Sequence, residues 1–273
     1  MRLLICTACG VQQHVDGNTD TLCPICIDER QFVPETGQQW TTHEELARNH
    51  RVGWREELPD IWSLRIEPTF GIGQRAFLIR TPGGNLLWDC ISLLDNETVT
   101  RIRELGGLAA VAISHPHFYS VMADWGKAFD VPVYVHEADQ EWIQQPHETI
   151  RTWSGRSMEL LPETTIVRCG GHFAGSSVLQ VAGCNSGLGA LFVGDTMQVV
   201  PDRRVSFMRS YPNLIPLNAG RVDRIVSAVA PLRFDAIFGA FDGRTIRSGA
   251  KEAVEHSGRR YIEAISPQVE QSQ

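Results

Sequence analysis

Two groups of residues in this chain have the types and spacing to hold metal ions. The first is Cys6-x2-Cys9 followed, after thirteen residues, by Cys23-x2-Cys26. A CxxC turn puts two sulfurs on one side of a tight knuckle, and two facing knuckles offer a tetrahedron of thiolates, the shell zinc prefers. A segment this short has no core without an ion, so a structural Zn2+ is the expectation; iron is the alternative, and would make the segment an electron carrier. The second group begins at "SHPHFYS", residues 114–120. Residues i and i+2 of an extended loop share a side, so His115 and His117 can address one cation as neutral imidazoles. His172, in the Gly-rich "RCGGHFAGSS", adds an imidazole, and Asp195, at the end of the apolar run "ALFVGD", adds a carboxylate at a position that commonly carries chemistry on α/β scaffolds.

These residues need elements to position them. Residues 1–33 read as the four-cysteine knuckle and 34–60 as a linker with one helix in "THEELARNH", capped by Thr41 or Thr42. From 61 to 273 the texture is that of one larger domain. "RAFLIR" and "NLLWDC" flank "TPGG" as a hairpin, and "DNETVTRIRELGG" reads as a helix capped by Asp95 or Asn96 and stopped at Gly106. "LAAVAI" is a buried strand leading into the histidines. It is followed by a helix over "SVMADWGKAF", a strand "VPVYVH" and a helix "EADQEWIQQ". Strands "TTIVRC", "SSVLQVA", "ALFVGD" and "FDAIFG" surround a helix "GRVDRIVSAVA", and a helix from about 249 to 264 precedes a polar tail. Two strand-rich halves, each ending in helices, predict a layered α/β sandwich.

Composition narrows the function. The formal charge of −7 makes nucleic acid an unlikely main partner, and no stretch is long and apolar enough for a membrane span. Seven cysteines, four of them in the CxxC pairs, fit a metal site plus free thiols in a reducing compartment, so a cytoplasmic protein is expected.

From about 61 to 264 the chain resembles the metallo-β-lactamase fold superfamily. "RAFLIRTPGGNLLWDC" is similar to its opening strands, with Asp89-Cys90 at the turn; "AAVAISHPHFYS" is similar to its HxHxDH segment, "CGGHFAGSSVL" to its Gly-His-Thr-x-Gly-Ser turn, and "LFVGDT" to the strand carrying its metal-bridging aspartate. The N-terminal knuckles resemble a zinc ribbon or rubredoxin. The resemblance implies a four-layer αββα sandwich with a small four-cysteine zinc-binding segment. It also implies a divergence. Tyr119 and Ser120 stand where the motif's aspartate and last histidine belong, and Phe241 or a neighbour stands where a late histidine belongs. The ligands peculiar to the second metal are gone, while His115, His117, His172 and Asp195 remain for one Zn2+ or Fe2+/Mn2+.

The leading expectation is therefore a mononuclear metal-dependent hydrolase, using a metal-bound water on an ester, thioester or similar small substrate. In it Asp195 holds the ion or the water, and Tyr119 either gives a proton or fills the vacated space. In "VVPDRRVSFMRSYPNLIPL", a segment lining the family's substrate cleft, Arg209 and Tyr211, with Arg203 and Arg204, are the candidate substrate contacts. Two alternatives stand beside it: a catalytically inactive binding or regulatory protein on the same scaffold, and an iron-containing redox protein. His136 reads as a hydrogen-bonded structural residue, and Cys90 and Cys169 as inert buried thiols.

Overall fold

The computed structural model describes residues 2–16 and 21–266. Residues 17–20 of the expected knuckle and the polar tail at 267–273 lie outside them. The N-terminal segment is a small antiparallel sheet in which β1 (Arg2–Cys6) lies between β2 (Gln12–Val15) and β3 (Trp40–Thr41). A short helix α1 (His43–Asn49) follows. Thr42 caps it, and Glu45 reaches back to the Thr42 backbone to complete a capping box.

The remainder is a sandwich. Its first sheet has the order β10-β9-β8-β7-β6-β5-β4. β4 (Arg51–Leu58), β5 (Ile61–Glu67), β6 (Ala76–Thr81) and β7 (Gly84–Trp88) are an antiparallel meander, and β8 (Ala110–Ala112), β9 (Val133–His136) and β10 (Ile150–Trp153) continue it in parallel. Residues 51–58 thus differ from the linker expected there: they pair along the length of β5, with Trp54 opposite Leu64, and form the sheet's edge. Their alternation is masked by charges at Arg55, Glu56 and Glu57, and Glu57 is buried because Arg75 Nη1 meets its carboxylate at 2.8 Å.

The second sheet joins β11 (Ser157–Leu161), β12 (Thr164–Arg168), β13 (Ser177–Val181), β14 (Ala190–Phe192), β19 (Ala236–Phe238) and β20 (Thr245–Ile246) in that order. Between β14 and β19 run two small ribbons, β15 (Gln198–Val199) with β16 (Val205–Ser206) and β17 (Met208–Ser210) with β18 (Ile215–Pro216). Helices α2 (Asn96–Glu104) and α3 (Met122–Phe129) belong to the first half, and α4 (Ala219–Val229) and α5 (Ala250–Ile265) to the second.

The four layers follow from the two-residue period of a strand. In the first sheet Phe77, Ile79, Leu86, Trp88, Ala110 and Ala112 face the second sheet, where Leu179, Ala190, Phe192 and Phe238 meet them. The intervening Leu78, Leu87 and Val111 point the other way, to Ile102 of α2 and Met122 and Trp125 of α3. In the second sheet Leu191 and Ile237 likewise turn outward to Val222, Ile225 and Val229 of α4 and to Ala253 and Val254 of α5. Strands covered on both faces read as continuous apolar runs, which is why "LAAVAI" and "ALFV" show no alternation.

One expected helix is not α-helical. "EADQEWIQQ" makes a 3-10 turn over Glu137–Trp142. The Asp139 carbonyl, which an α-helix would use for residue 143, instead accepts the Tyr119 hydroxyl at 3.1 Å, and the Ile143 N–H goes to Gln140.

Candidate metal centre

Each residue of the histidine cluster sits just beyond the end of a buried strand. β8 delivers Ser114, His115 and, in the 3-10 turn Pro116–Phe118, His117. His172 lies in the turn between β12 and β13, where Gly170 and Gly171 adopt φ of 67° and 89°; a side chain at Gly171 would strike Ile225 and Leu217. Asp195 follows β14. One ligand atom from each of His115, His117, His172 and Asp195 lies within 4.8 Å of all the others. The four side chains are buried, at 2%, 1%, 1% and 5% exposure.

The converging atoms can be named. His115 Nε2 is 3.4 Å from Asp195 Oδ2, while His117 Nδ1 and His172 Nε2 are each 4.0 Å from it and 3.2 Å from one another. The opposite edges of two rings are anchored: His115 Nδ1 to Ser114 Oγ at 2.8 Å, and His172 Nδ1, donating, to the Met208 carbonyl at 3.2 Å. With its proton on Nδ1, His172 presents a lone pair to the centre. Ser114 is held in turn, its N–H donating to Asp89 Oδ1 at 2.7 Å.

Electrostatics suit a cation. Burial holds His117 down at about 4, and burial also holds His172 well below the usual imidazole value, so both rings are neutral near pH 7. Asp195 is held below the usual carboxylate range: burial would raise it, but the imidazoles of His115, His117 and His172 around it outweigh that. His115 Nε2, His117 Nε2 and Asp195 Oδ1 are buried without a hydrogen-bond partner. Buried polar atoms left unpaired are costly, and an ion at the convergence would satisfy His115 Nε2; His117 Nε2 is the other nitrogen of a ring that converges through Nδ1. The donor set of three imidazoles and a carboxylate therefore fits a divalent metal.

The four-cysteine group is equally closed. Cys6 and Cys26 sulfurs are 3.6 Å apart, as are those of Cys9 and Cys23, and the four are free thiols. Sulfurs arranged tetrahedrally at about 2.3 Å from zinc are about 3.8 Å apart, so the set fits that ion. Gln38 Nε2 donates to Cys6 Sγ at 3.1 Å. Without an ion, packed thiols cannot all ionise: hydrogen bonds from the other three cysteines lower Cys6, while burial raises Cys9.

The residues that follow the histidine pair are engaged in packing and hydrogen bonds of their own. The Tyr119 hydroxyl is spent on the Asp139 carbonyl and the ring lies in the apolar layer under α3; its ionisation is pushed well above the usual phenol value by burial. Ser120 Oγ donates to the Cys90 carbonyl at 3.2 Å. Phe118 packs its ring 4.2 Å from that of His115, and Phe241 packs against Phe118 at 6.4 Å.

Of the candidate substrate contacts, the Tyr211 hydroxyl donates to the Asp195 and Ser206 carbonyls and its ring is 5.9 Å from that of His172. Arg209 pairs with Glu29 and lines a cavity that His172 also lines. Arg203 donates to the Thr245 carbonyl, away from the cluster, and Arg204 makes no side-chain contact with it. His136 is structural, accepting the Ala138 N–H and bonding the Gly155 carbonyl. Burial raises Cys169 to about 12 and lifts Cys90 well above the usual thiol value, as expected of inert thiols.

Sequence reasoning missed the N-terminal segment's part in this centre. Gln31 Nε2 reaches 3.5 Å from His117 Nδ1. Arg30 donates to the His172 carbonyl at 3.3 Å and lies 3.7 Å over the Phe173 ring. Asn213 binds the carbonyls of Glu29 and Gln31, and Ser210 Oγ that of Arg30. The end of the knuckle is thus stitched to the β17–β18 ribbon over the histidines. No spacing rule announces such a contact; Ser114 and Asp89 likewise carry no signal beyond their adjacency to the motifs.

No family model matches the chain. Among solved structures it is similar to the DIM-1 metallo-β-lactamase, with a TM-score of 0.59 and 16% identity over 80% of this chain and 99% of that one. It is also similar to FIM-1 from Pseudomonas aeruginosa in its mono-zinc form, with a TM-score of 0.57 and 15% identity over 79% and 97%. These likenesses establish the fold. The uncharacterized protein YmaE of Bacillus subtilis (strain 168) is 42% identical over 272 residues, 98% of this chain and 99% of that one. The chain belongs to the same family as YmaE, built on the metallo-β-lactamase fold with a four-cysteine segment at its N-terminus.

Proposed function

We propose that this protein is a mononuclear metal-dependent hydrolase of a small ester, thioester or related substrate. One observation carries the reading: three imidazoles and one carboxylate meet in a buried pocket, with His115 Nε2 unpaired among the converging atoms. The mono-zinc form of FIM-1 lends support, since it places one zinc in a fold of this kind. His115, His117 and His172 would hold the ion, with Asp195 against it; a divalent cation there would supply Lewis acidity that makes water ionise near neutral pH. The chain's own groups do the rest. Ser114 and the Met208 carbonyl fix the His115 and His172 rings. Asp195 Oδ1, ionised and unpaired, can accept a hydrogen bond from a water and orient it. Tyr211 steadies the Asp195 backbone, and Arg209 stands at the substrate side. Tyr119 supports the floor of the site through Asp139. The four cysteines hold a structural zinc, and free thiols throughout suit a reducing cytoplasm.

The test is metal analysis of the purified protein beside a His115→Ala/His117→Ala variant, with hydrolysis of p-nitrophenyl acetate and a short acyl thioester. The proposal expects one fewer ion per chain and a loss of hydrolysis on the order of 100-fold or more in the variant. Equal metal content, or equal rates, would refute it. The packing of Tyr119 and Phe241 into the apolar layer, with the centre nearly sealed, favours a second reading as a non-catalytic binding or regulatory protein. That reading expects no central metal and no hydrolysis of either substrate.

A further inference from the structure

Beside the centre lies a cavity of about 820 Å3 between α4, the β11–β12 edge and the Gly170–Ala174 turn. Six arginines line it, namely Arg30, Arg156, Arg168, Arg209, Arg221 and Arg224, and no carboxylate does. Arg30 and Arg209 have acidic partners in Asp28 and Glu29. The other four form no ion pair among the described residues, and of their side chains only that of Arg168 has a hydrogen bond, to the Ala174 carbonyl at 2.9 Å. The chain carries 32 acidic side chains against 25 basic ones, so counter-charges are plentiful. Gathering unneutralised cations around one concavity opposes folding by mutual repulsion. The Gly171 N–H, on the same wall, also has no partner among the described residues.

We infer that this cavity is a binding site for a small molecule carrying two or more phosphate groups. Guanidinium forks match phosphate oxygens in pairs. The volume is that of a small-molecule site. A nucleic-acid strand is disfavoured, because the lining offers no exposed aromatic face for stacking; its one aromatic, Phe173, is buried under Arg30. His172 lines both the cavity and the candidate metal centre, so a molecule held by the arginines lies against the centre. That the ligand is also the substrate rests on the hydrolase reading; its binding does not.

Calorimetry at low ionic strength tests this, with fructose 1,6-bisphosphate and inorganic phosphate as probes. The bisphosphate should bind more tightly than phosphate, and weaken by about tenfold or more in Arg221→Gln/Arg224→Gln. Arg156→Gln/Arg168→Gln, on the other wall, should do the same, so that a folding defect in one pair does not decide the matter. Binding should persist in His115→Ala/His117→Ala. The inference is overturned by no bisphosphate binding to the wild type, by binding indifferent to both arginine pairs, by binding lost only with the histidines, or by a 20-nucleotide single-stranded RNA displacing the bisphosphate at lower concentration.

Discussion

The two four-donor clusters of this protein are alike in burial and unlike in construction. The thiols come from one short stretch: Val11 and Ile25 are buried with them, Ala8, Val33, Trp40 and Trp142 pack against the cluster, and Gln38 gives Cys6 a hydrogen bond. The histidines and Asp195 come from three loops brought together by both sheets, and each anchored ring has a partner that fixes its orientation. The thiol segment has little apolar core of its own, whereas the histidine pocket sits above a core already filled by the stack of Phe77, Phe192 and Phe238.

That contrast can be broken most forcefully at the thiols. Cys6→Ser/Cys9→Ser should remove on the order of 10 kcal/mol of apparent metal-coupled folding energy from the segment. Limited proteolysis should then cut within the first forty residues while the sandwich stays intact; a segment as resistant as wild type would end the structural assignment. At the histidines the fold should survive and affinity should change. Ser114→Ala removes the Oγ beside His115 Nδ1 and should weaken central metal binding by about 10- to 100-fold, read by competition with a chelator. An unchanged affinity would mean that the ring needs no orientation.

A smaller effect concerns Asp139, under the His172 turn. Burial raises it to about 6, above the roughly 3.9 of an unfolded chain. Between those values the native state binds the extra proton. Its contribution to stability is therefore present below about pH 4 and lost as pH rises through 6. Asp139→Asn keeps an acceptor for the Gly175 N–H and removes the titration. Its stability relative to wild type should grow across pH 4–6, by at most about 1.4 kcal/mol per unit, in denaturant melts at each pH. A flat difference would show that the carboxyl titrates as it does in water. The smallest effect is expected of Tyr119→Phe: about 1 kcal/mol of stability and less than threefold in rate, since the hydroxyl serves only the Asp139 carbonyl. A hundredfold loss of rate would return Tyr119 to proton transfer.

Much of this was legible without coordinates. CxxC spacing and the HPH pair mark their own ligands because local geometry dictates them, and fully apolar runs such as "ALFV" mark strands buried on both sides. The limits have physical causes too. β4 escaped because its buried Glu57 is neutralised by Arg75 and Arg247, residues far along the chain. The helix over 137–145 failed because Tyr119 takes a carbonyl that the helix needed. The basic cavity was invisible because its arginines are scattered from 30 to 224 and meet only in space.

The seam of Asn213, Ser210 and Arg209 against residues 29–31 has a kinetic consequence. An ion in the histidine pocket would enter or leave only as fast as those bonds let go together. Loading would then precede the closing of that seam, and a chain closed too early would keep the wrong occupant, or none, for as long as the clasp held.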